Sequence, residues 1–289
     1  MRFNFKKYAI MVILLILCFS MVLWSEETSH KRQRTITING SDTMLILGQK
    51  WAEIYMNRNP WVRIQVAGGG SGVGISALIN GTTNIAEASR HMEKEEEDRL
   101  IKERGESRKP VEFRVAIDGI TIYVNRNNPV DSLTLDQLED IFTGKIGNWK
   151  EVGGDDAKIV MYGRESVSGT RRYFQGIVLN MADYAVEVQP LPGTGAIVNA
   201  VSKDENGIGY GGVGYASGVK KLRVARDNES GYYLPEREYV ITGQYPLARY
   251  LYWYTAGSPK DEIEDLLDWV LSPEGQKIVE EVGYFPLIK

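Results

Sequence analysis

The chain has 289 residues, of which 43% are hydrophobic and 25% charged, as in an ordinary globular protein with one large or two average domains. Its single cysteine excludes an intrachain disulfide and a cysteine-based zinc site, and its two histidines leave little material for a transition-metal centre. Residues 1–25 contain three of the 34 basic residues and no acidic one, so the rest of the chain has a net charge of −7. This acidic excess argues against nucleic acid as a partner and, at first sight, against a small anion as ligand.

The first 34 residues have the pattern of an export signal or membrane anchor followed by a linker. Residues 8–24 form an apolar stretch preceded by three basic residues, which is typical of export signals. The stretch is shorter than the ~20 residues of a spanning helix, and no clear cleavage site follows it, so a cleaved signal and an uncleaved anchor both remain open. Lipid attachment at Cys18 is less favoured, because the run Leu15-Ile16-Leu17 supplies a bulky residue where that processing requires a small one.

Three segments repeat the order strand, small polar turn and helix start. The strands and their turns are residues 35–38 and 39–43, 62–67 and 68–72, and 158–162 and 163–170. The first backbone N–H groups of a helix have no internal partner, so a turn of Ser, Thr and Gly before them can bind an anion. Ser and Thr are also ordinary helix caps, so one such turn carries little weight.

The third turn adds a positive charge to this pattern. Arg164 precedes Ser168 by four residues and can clamp an oxyanion through two hydrogen bonds, while Ser168, Gly169 and Thr170 hold its other oxygens. Three such turns together favour an anion site. Nucleotide motifs are weaker: there is no P-loop, and the G-x-G-x-x-G sequence at 209–214 precedes no amphipathic helix.

The remaining segments continue an alternation of strands and helices. A capping box at Thr134 and Gln137 predicts a helix through Phe142, and Ser258-Pro259 and Ser272-Pro273 each predict a helix start. Further strands are predicted at 84–88, 111–125, 208–210 and 245–255, and a charged helix at 93–104. This order predicts an α/β protein with mainly parallel sheets, whose ligand lies beyond the carboxyl ends of the strands.

The order of the motifs resembles the phosphate-binding proteins of bacterial phosphate ABC importers. The motifs are Gly40–Thr43, Gly68–Gly72, Ala88–Arg90, Asp118–Gly119, Ile141–Trp149, Arg164–Arg171 and Gly275–Gln276. The resemblance covers residues 35–289 and implies two α/β lobes of the type II periplasmic-binding-protein fold, joined by a two-strand hinge. The expected boundaries are 1–34 for the signal or anchor and linker, 35–117 for the first part of lobe 1, 118–239 for lobe 2, and 240–289 for the return to lobe 1.

The resemblance also implies a ligand site between the lobes. Matched motif by motif, its phosphate-binding residues are Thr43, Met44 and Ser71 from lobe 1, and Arg164, Ser168, Gly169 and Thr170 from lobe 2. Ligand contacts from both lobes would make binding close the hinge.

This chain departs from some relatives after Ser89, where they carry Asp and it carries Arg90. A carboxylate at the site would accept the proton that phosphate retains near pH 7 and sulfate lacks. If Arg90 faces the site, it attracts anions and weakens that filter; the alternative is an ion pair with an acid such as Glu87 or Glu93. Asp118 is then either the proton acceptor or a turn residue at the crossing between lobes.

The function that follows is capture of inorganic phosphate outside the cytoplasm and its delivery to an ABC permease by a monomer without cofactor or metal. Two alternatives share this architecture: a receptor for another tetrahedral oxyanion such as sulfate, and a phosphate sensor tethered by residues 8–24. A phosphate-ester hydrolase is disfavoured, because His91 is the sole histidine well inside the globular region and no general base is evident.

Overall fold

One long strand of the computed structural model, β4, runs through both halves of the molecule. The structure describes residues 34–287, so the predicted signal or anchor and Cys18 lie outside the described residues. The strands are β1 (Arg34–Gly40), β2 (Val62–Ala67), β3 (Ile85–Ala88), β4 (Pro110–Val124), β5 (Ser132–Thr134), β6 (Val160–Arg164), β7 (Gln189–Leu191), β8 (Gly207–Gly212), β9 (Lys220–Lys221), β10 (Arg223–Ala225) and β11 (Ala248–Ala256). The helices are α1 (Leu45–Arg58), α2 (Ser71–Asn80), α3 (Lys94–Arg104), α4 (Leu135–Phe142), α5 (Gly169–Ile177), α6 (Gly193–Lys203), α7 (Arg237–Ile241), α8 (Asp261–Leu271) and α9 (Pro273–Glu281).

The main sheet has nine strands in the order β2-β1-β3-β11-β4-β8-β6-β7, with β9 also paired to β4. In the described chain, the pairings of β1 with β2 and β3, of β6 with β7 and β8, and of β5 with β10 are parallel. All antiparallel pairings between two of these strands involve β4 or β11, which join the two parallel halves. The predicted α/β class with mainly parallel sheets is therefore confirmed, and the antiparallel strands are confined to the junction and its edge strand.

Two hydrophobic clusters divide the molecule into two lobes. Trp51 and Trp253 pack edge to face in the cluster of lobe 1, while Phe142, Phe174 and Tyr210 pack together in the cluster of lobe 2. The amino-terminal half of β4 pairs with β11 in lobe 1, and its carboxyl-terminal half pairs with β8 in lobe 2. β4 is thus the first connection between the lobes, as in the two-lobed fold of type II periplasmic-binding proteins.

Local capping signals are correct at two of three predicted helix starts. Thr134 and Gln137 make both bonds of the capping box of α4, and the Ser272 hydroxyl caps α9 by accepting from the Gly275 N–H. The prediction at Ser258-Pro259 is wrong, because α8 begins at Asp261 with Lys260 as its N-cap. In the part of the chain that the structure describes, no helix combines the length and apolarity needed to cross a bilayer.

Candidate functional site

The amino-terminal ends of α1, α2 and α5 meet where the two lobes touch. α1 and α2 belong to lobe 1, and α5 belongs to lobe 2. A backbone hydrogen bond joins them directly: the Gly72 N–H donates to the Val167 carbonyl over 3.0 Å. Gly169 fits so closely against lobe 1 that a Cβ built there would overlap Ser71 Oγ and lie 2.8 Å from Ser89 Oγ. The lobes are therefore closed on each other, and the helix starts share one buried space.

Four buried hydroxyl groups form a cluster in this space, which we call the hydroxyl cluster. Its members are Thr43, Ser71 and Ser89 of lobe 1 and Thr170 of lobe 2, each at most 1% exposed. Thr43 Oγ1 lies 2.9 Å from Thr170 Oγ1, and Ser71 Oγ lies 3.3 Å from Ser89 Oγ. Ser89 Oγ lies 3.5 Å from Thr170 Oγ1, so the contacts cross between lobes. Ser89 was not among the predicted ligands, although it belongs to one of the matched motifs.

The same helix starts carry backbone donors without acceptors. Among residues 34–287, the N–H groups of Thr43, Ser71, Gly169 and Thr170 donate no hydrogen bond. The first N–H groups of a helix carry its positive partial charge. Hydroxyls that can donate and amides that lack acceptors, brought together in one buried space, suit a small oxyanion.

Arg249 reaches the hydroxyl cluster, and sequence reasoning missed it. Its Nη2 donates to Thr170 Oγ1 over 2.9 Å, and its Nη1 donates to the Ser89 carbonyl over 2.7 Å. Nε and Nη2 also donate to Asp118 Oδ2 over 3.1 and 2.8 Å. One signal could have found it: Arg249 is the sole charged residue in the apolar and aromatic run 247–256. A buried charge in such a strand needs a partner.

Asp118 lies inside β4 at the level where the chain passes between the lobes. The turn-residue alternative is therefore wrong, because β4 is continuous through this position. Asp118 Oδ1 accepts from the Val213 N–H over 3.0 Å, and Oδ2 accepts from Arg249. Asp118 and Arg249 are direct cross-strand partners in the β4–β11 register. The role of Asp118 as a proton acceptor for phosphate stays a prediction.

Arg164 is buried at the end of β6, with 1% of its surface exposed. Its Nη2 donates to Asp42 Oδ2 of lobe 1 over 2.7 Å, and its Nη1 donates to Thr194 Oγ1 over 2.9 Å. Among the described residues, its Nε has no hydrogen-bond partner. The ion pair with Asp42 was not anticipated, because it depends on contact between the lobes. The clamp on an oxyanion stays a prediction.

Among the described residues, the Arg90 side chain makes no hydrogen bond with the hydroxyl cluster, contrary to the expectation that placed it at the site. Its two terminal nitrogens donate to the two carboxylate oxygens of Glu96 over 2.8 and 2.7 Å. The Glu96 carboxylate also accepts the N–H of Glu93 in the capping box of α3. The alternative, an ion pair with a nearby acid, is the arrangement observed. The acid is Glu96 rather than Glu87 or Glu93, because Glu96 in the first turn of α3 offers both carboxylate oxygens.

Met44 and Ser168 have structural contacts that the prediction did not include. The Met44 N–H donates to the Ser41 carbonyl over 2.9 Å, and its side chain is buried in lobe 1. Ser168 Oγ caps α5 by accepting from the Arg171 N–H over 3.3 Å. Of the nine predicted ligands, Thr43, Ser71, Gly169 and Thr170 therefore present free N–H groups at the junction.

Two tyrosines hold the first helix start in place. The Tyr284 hydroxyl donates to the Thr43 carbonyl, and the Tyr215 hydroxyl donates to the Asp42 carbonyl, each over 2.6 Å. Burial raises the pKa of Tyr215 to about 12. Both hydroxyls thus serve as neutral donors that fix the carbonyls on one side of the turn, leaving the Thr43 N–H and hydroxyl on the other.

Glu87 is a second buried acid near the first turn. Its Oε1 accepts from Trp253 Nε1 over 3.0 Å, while its Oε2 has no hydrogen-bond partner among the described residues. Burial, together with the nearby negative charge of Asp42, raises the pKa of Glu87 to about 8, against the opposing effect of the Trp253 hydrogen bond. Glu87 is therefore mostly neutral at pH 7. No group of three or more His, Cys, Asp or Glu residues that could hold a metal ion is found within residues 34–287.

Comparison with known proteins gives one consistent family. A family model described as a PBP superfamily domain matches residues 25–274. The phosphate-binding protein PstS of Pseudomonas aeruginosa is 36% identical over 86% of this chain and 81% of its own length. The protein of the same name from Bacillus subtilis is 33% identical over 91% of this chain and 84% of its own length.

Solved structures agree with the sequence matches. A chain from Clostridium perfringens, described as a phosphate ABC transporter substrate-binding protein and solved with bound phosphate, superposes with a TM-score of 0.79 at 33% identity, covering 88% of this chain and all of that one. An ABC-type phosphate transport receptor from Vibrio cholerae superposes with a TM-score of 0.70 at 28% identity, covering 87% of this chain and all of that one.

Proposed function

Since this chain belongs to the periplasmic-binding-protein superfamily, in the PstS family of phosphate-binding proteins, we propose that it captures inorganic phosphate between its two lobes. The observation that carries this proposal is the hydroxyl cluster, with the free N–H groups of Thr43, Ser71, Gly169 and Thr170 beside it. A phosphate held there takes donors from both lobes at once. Binding therefore stabilises the closed form.

The proposed site keeps the predicted residues other than Arg90, with Asp118 as the proton acceptor, and adds two residues. Thr43, Met44, Ser71, Ser168, Gly169, Thr170 and Arg164 are proposed as before, and Ser89 and Arg249 join them because they contact the hydroxyl cluster. Arg90 is left out, since its guanidinium is bound to Glu96. Met44 and Ser168 take part only if ligand binding releases the hydrogen bonds that they now make.

We propose that the chain selects phosphate over sulfate through the ion pair of Asp118 and Arg249, whose opposite charges cancel. Sulfate offers acceptors only, whereas phosphate at neutral pH retains a proton that needs an acceptor. The carboxylate of Asp118 is linked to the hydroxyl cluster through Arg249, which contacts Thr170. A site that leaves a buried acceptor unmatched rejects the wrong anion strongly.

We propose transport rather than catalysis as the role of the site. His91 lies on the surface of lobe 1, where its Nδ1 is 2.9 Å from Glu112 Oε2 and its Nε2 is 2.9 Å from the Tyr252 hydroxyl. It contacts no member of the hydroxyl cluster, so within residues 34–287 the serine hydroxyls have no histidine base. Purified protein should release nothing from a chromogenic phosphate ester. Release that is lost on Ser71→Ala would contradict this.

The proposed place of action is outside the cytoplasm, where binding proteins of this family work. We propose that a monomer passes phosphate to an ABC permease, and that residues 8–24 serve as export signal or anchor. A tethered phosphate sensor is the alternative if the anchor is kept. Mass spectrometry of the protein isolated from its native cells identifies the mature amino terminus. The presence or absence of residues 8–24 then distinguishes an anchored from a released form.

We propose that the chain returns from lobe 2 to lobe 1 between Leu247 and Leu251. Val240, Tyr245 and Leu247 pack in the cluster of lobe 2, whereas Leu251 packs in that of lobe 1. The proposed return is later than the boundary at residue 240 that the resemblance implies. β4 and the start of β11 would then form the two-strand hinge.

Calorimetric titration with phosphate, arsenate and sulfate tests the proposed function. Phosphate and arsenate have the same shape and similar protonation, so both should bind, and sulfate at equal concentration should not compete. If phosphate gives no heat of binding and no thermal stabilisation, the proposal is wrong. If sulfate competes equally, capture of an oxyanion stands and the selectivity argument fails.

A further inference from the structure

A basic cavity of about 550 Å³ lies at the edge of lobe 1 remote from the hydroxyl cluster. It is lined by residues at the carboxyl ends of α2, α3 and β11, by the two residues before β3 and by the first residues of α8. The hydroxyl cluster lies at the opposite ends of the same elements, with Ser71 at the start of α2 and Ser89 after β3. The ten residues of α2 alone separate the two places by about 15 Å. The cavity is therefore distinct from the phosphate site.

Three cationic side chains line this cavity, and none of them has an acidic partner among the described residues. Arg104 and Lys260 make no hydrogen bond or ion pair there, and Arg108 Nη1 donates only to the Ala256 carbonyl over 3.3 Å. Arg104 lies over Gly81, where a Cβ would overlap its guanidinium. Glycine at this helix end thus leaves room for the arginine in the wall of the cavity.

The acid that lines the cavity, Asp261, does not balance this charge. Its carboxylate lies 3.6 Å from Nη1 of Arg34, and among the described residues it makes no ion pair with the three cationic side chains of the cavity. Positive charge in a concave surface favours an anion of matching size, and phosphate esters are the anions that arginine pairs bind with two parallel hydrogen bonds. The volume exceeds that of inorganic phosphate and admits a phosphate with an attached group.

The position of the chain start points to the source of that phosphate. Arg34, the first described residue, donates to Glu262 over 2.7 Å and approaches Asp261, so the chain enters lobe 1 beside the cavity. Nine residues, 25–33, separate Arg34 from the apolar segment 8–24. Fully extended, nine residues span about 30 Å. With residues 8–24 in a bilayer, the cavity lies within that distance of the lipid surface.

We propose that this cavity binds the phosphate headgroup of an anionic phospholipid. Residues 25–33 contain two basic and two acidic residues, so they add no net attraction to an anionic membrane. The specific attraction comes from the positive charge of the cavity. Headgroup binding would set the far edge of lobe 1 on the membrane and turn the opening between the lobes toward the aqueous side. The proposal goes beyond phosphate capture and uses none of its residues.

Hydrogen–deuterium exchange of the full chain with vesicles tests the proposal. Exchange is measured in peptides covering 104–109 and 256–261, with vesicles of phosphatidylcholine alone or with 30% phosphatidylglycerol. We expect slower exchange only with phosphatidylglycerol. The variant R104Q/R108Q/K260Q should lose this protection, because each basic residue near an anionic surface favours binding about fivefold, or on the order of 100-fold for three.

The matched control is R126Q/K203Q/K221Q, which removes the same charge from exposed positions of lobe 2. It should keep the protection of the wild type. Equal protection with both vesicle types, or protection that survives the R104Q/R108Q/K260Q changes, overturns the proposal. A third arm adds 10 mM inorganic phosphate without vesicles: protection of the same peptides to the same extent would assign the cavity to free phosphate and also overturn headgroup binding.

Discussion

The carboxylate of Asp42 and the buried guanidinium of Arg164 form an ion pair across the two lobes, with Oδ2 2.7 Å from Nη2 and the Asp42 side chain 17% exposed. Asp42 belongs to the first turn of lobe 1, where its Oδ1 also accepts the Gly69 N–H over 2.9 Å. Arg164 ends β6 in lobe 2. The pair exists only while the lobes are closed, so it links the electrostatics of the site to its conformation.

Asp42→Asn should open the ligand-free protein. In the closed form, Arg164 would keep a buried charge without its carboxylate, a change that costs about 3–5 kcal/mol. In the open form water solvates the same charge. Phosphate should restore closure by supplying the missing negative charge. Small-angle scattering with and without phosphate measures this as a larger radius of gyration that the ligand reverses. Asp268→Asn, at an exposed position, is the control. A ligand-free variant as compact as the wild type would contradict the argument.

Gly169→Ala should weaken phosphate binding without weakening the fold. The new methyl group would overlap Ser71 Oγ of the other lobe, and forcing such a contact costs about 1–3 kcal/mol, or roughly tenfold to 100-fold in affinity. Gly176→Ala in the same helix is the matched control, because its nearest neighbour is Met181 Sδ at 3.8 Å. Titration calorimetry and thermal melting of both variants check this. Equal affinities would show that binding does not need this closed contact.

Arg164→Ala should lose more phosphate affinity than any other single change at the site. A charged hydrogen bond contributes about 1.5–3 kcal/mol, so the expected loss is on the order of 100-fold. Arg90→Ala should change affinity by less than about threefold, since its guanidinium is held by Glu96 at the start of α3. Calorimetric titration of both variants separates the two arginines. A comparable loss from Arg90→Ala would return Arg90 to the site.

Asp118→Asn should reduce selectivity for phosphate over sulfate more than it reduces phosphate affinity. The change removes the carboxylate acceptor and leaves Arg249 with an unneutralised charge beside Thr170. Both effects favour an anion without a proton. The dissociation constant for sulfate divided by that for phosphate should therefore fall at least about tenfold. Breaking a buried pair also destabilises the fold, so a melting curve must accompany the titrations. Unchanged selectivity in a folded variant would show that Asp118 is not the proton acceptor.

Glu87→Gln should flatten the pH dependence of stability. The folded pKa of about 8 lies above the unfolded value of 4.5, so the folded state binds more protons between these values. The free energy of unfolding of the wild type therefore falls as the pH rises from about 4.5 to 8, by up to about 5 kcal/mol, and changes little from this group above 8. The urea midpoints at pH 5 and pH 9 should differ less in the variant than in the wild type, because the variant gains stability at pH 9. Glu187→Gln, on the surface, should behave like the wild type.

Local signals in the sequence predicted most of the helix starts, with Ser258-Pro259 as the exception, because a helix start depends mainly on residues a few positions apart. The small polar turns, the capping box at Thr134 and the cap at Ser272 are of this kind. The partners of the buried charges were not predictable in this way. Arg249 meets Asp118 through the register of β4 and β11, and Arg164 meets Asp42 through closure of the lobes. Each pair joins residues more than a hundred positions apart, and no short-range pattern encodes such a contact.

The continuity of β4 also determines how the molecule should unfold. Its two halves are hydrogen-bonded to β11 in lobe 1 and to β8 in lobe 2. Loss of either lobe would strip pairing partners from a strand that completes the core of the other. The lobes should therefore melt together, as one cooperative transition in calorimetry, although each has its own hydrophobic cluster. Two lobes that move separately thus form a single folding unit, because they share a strand.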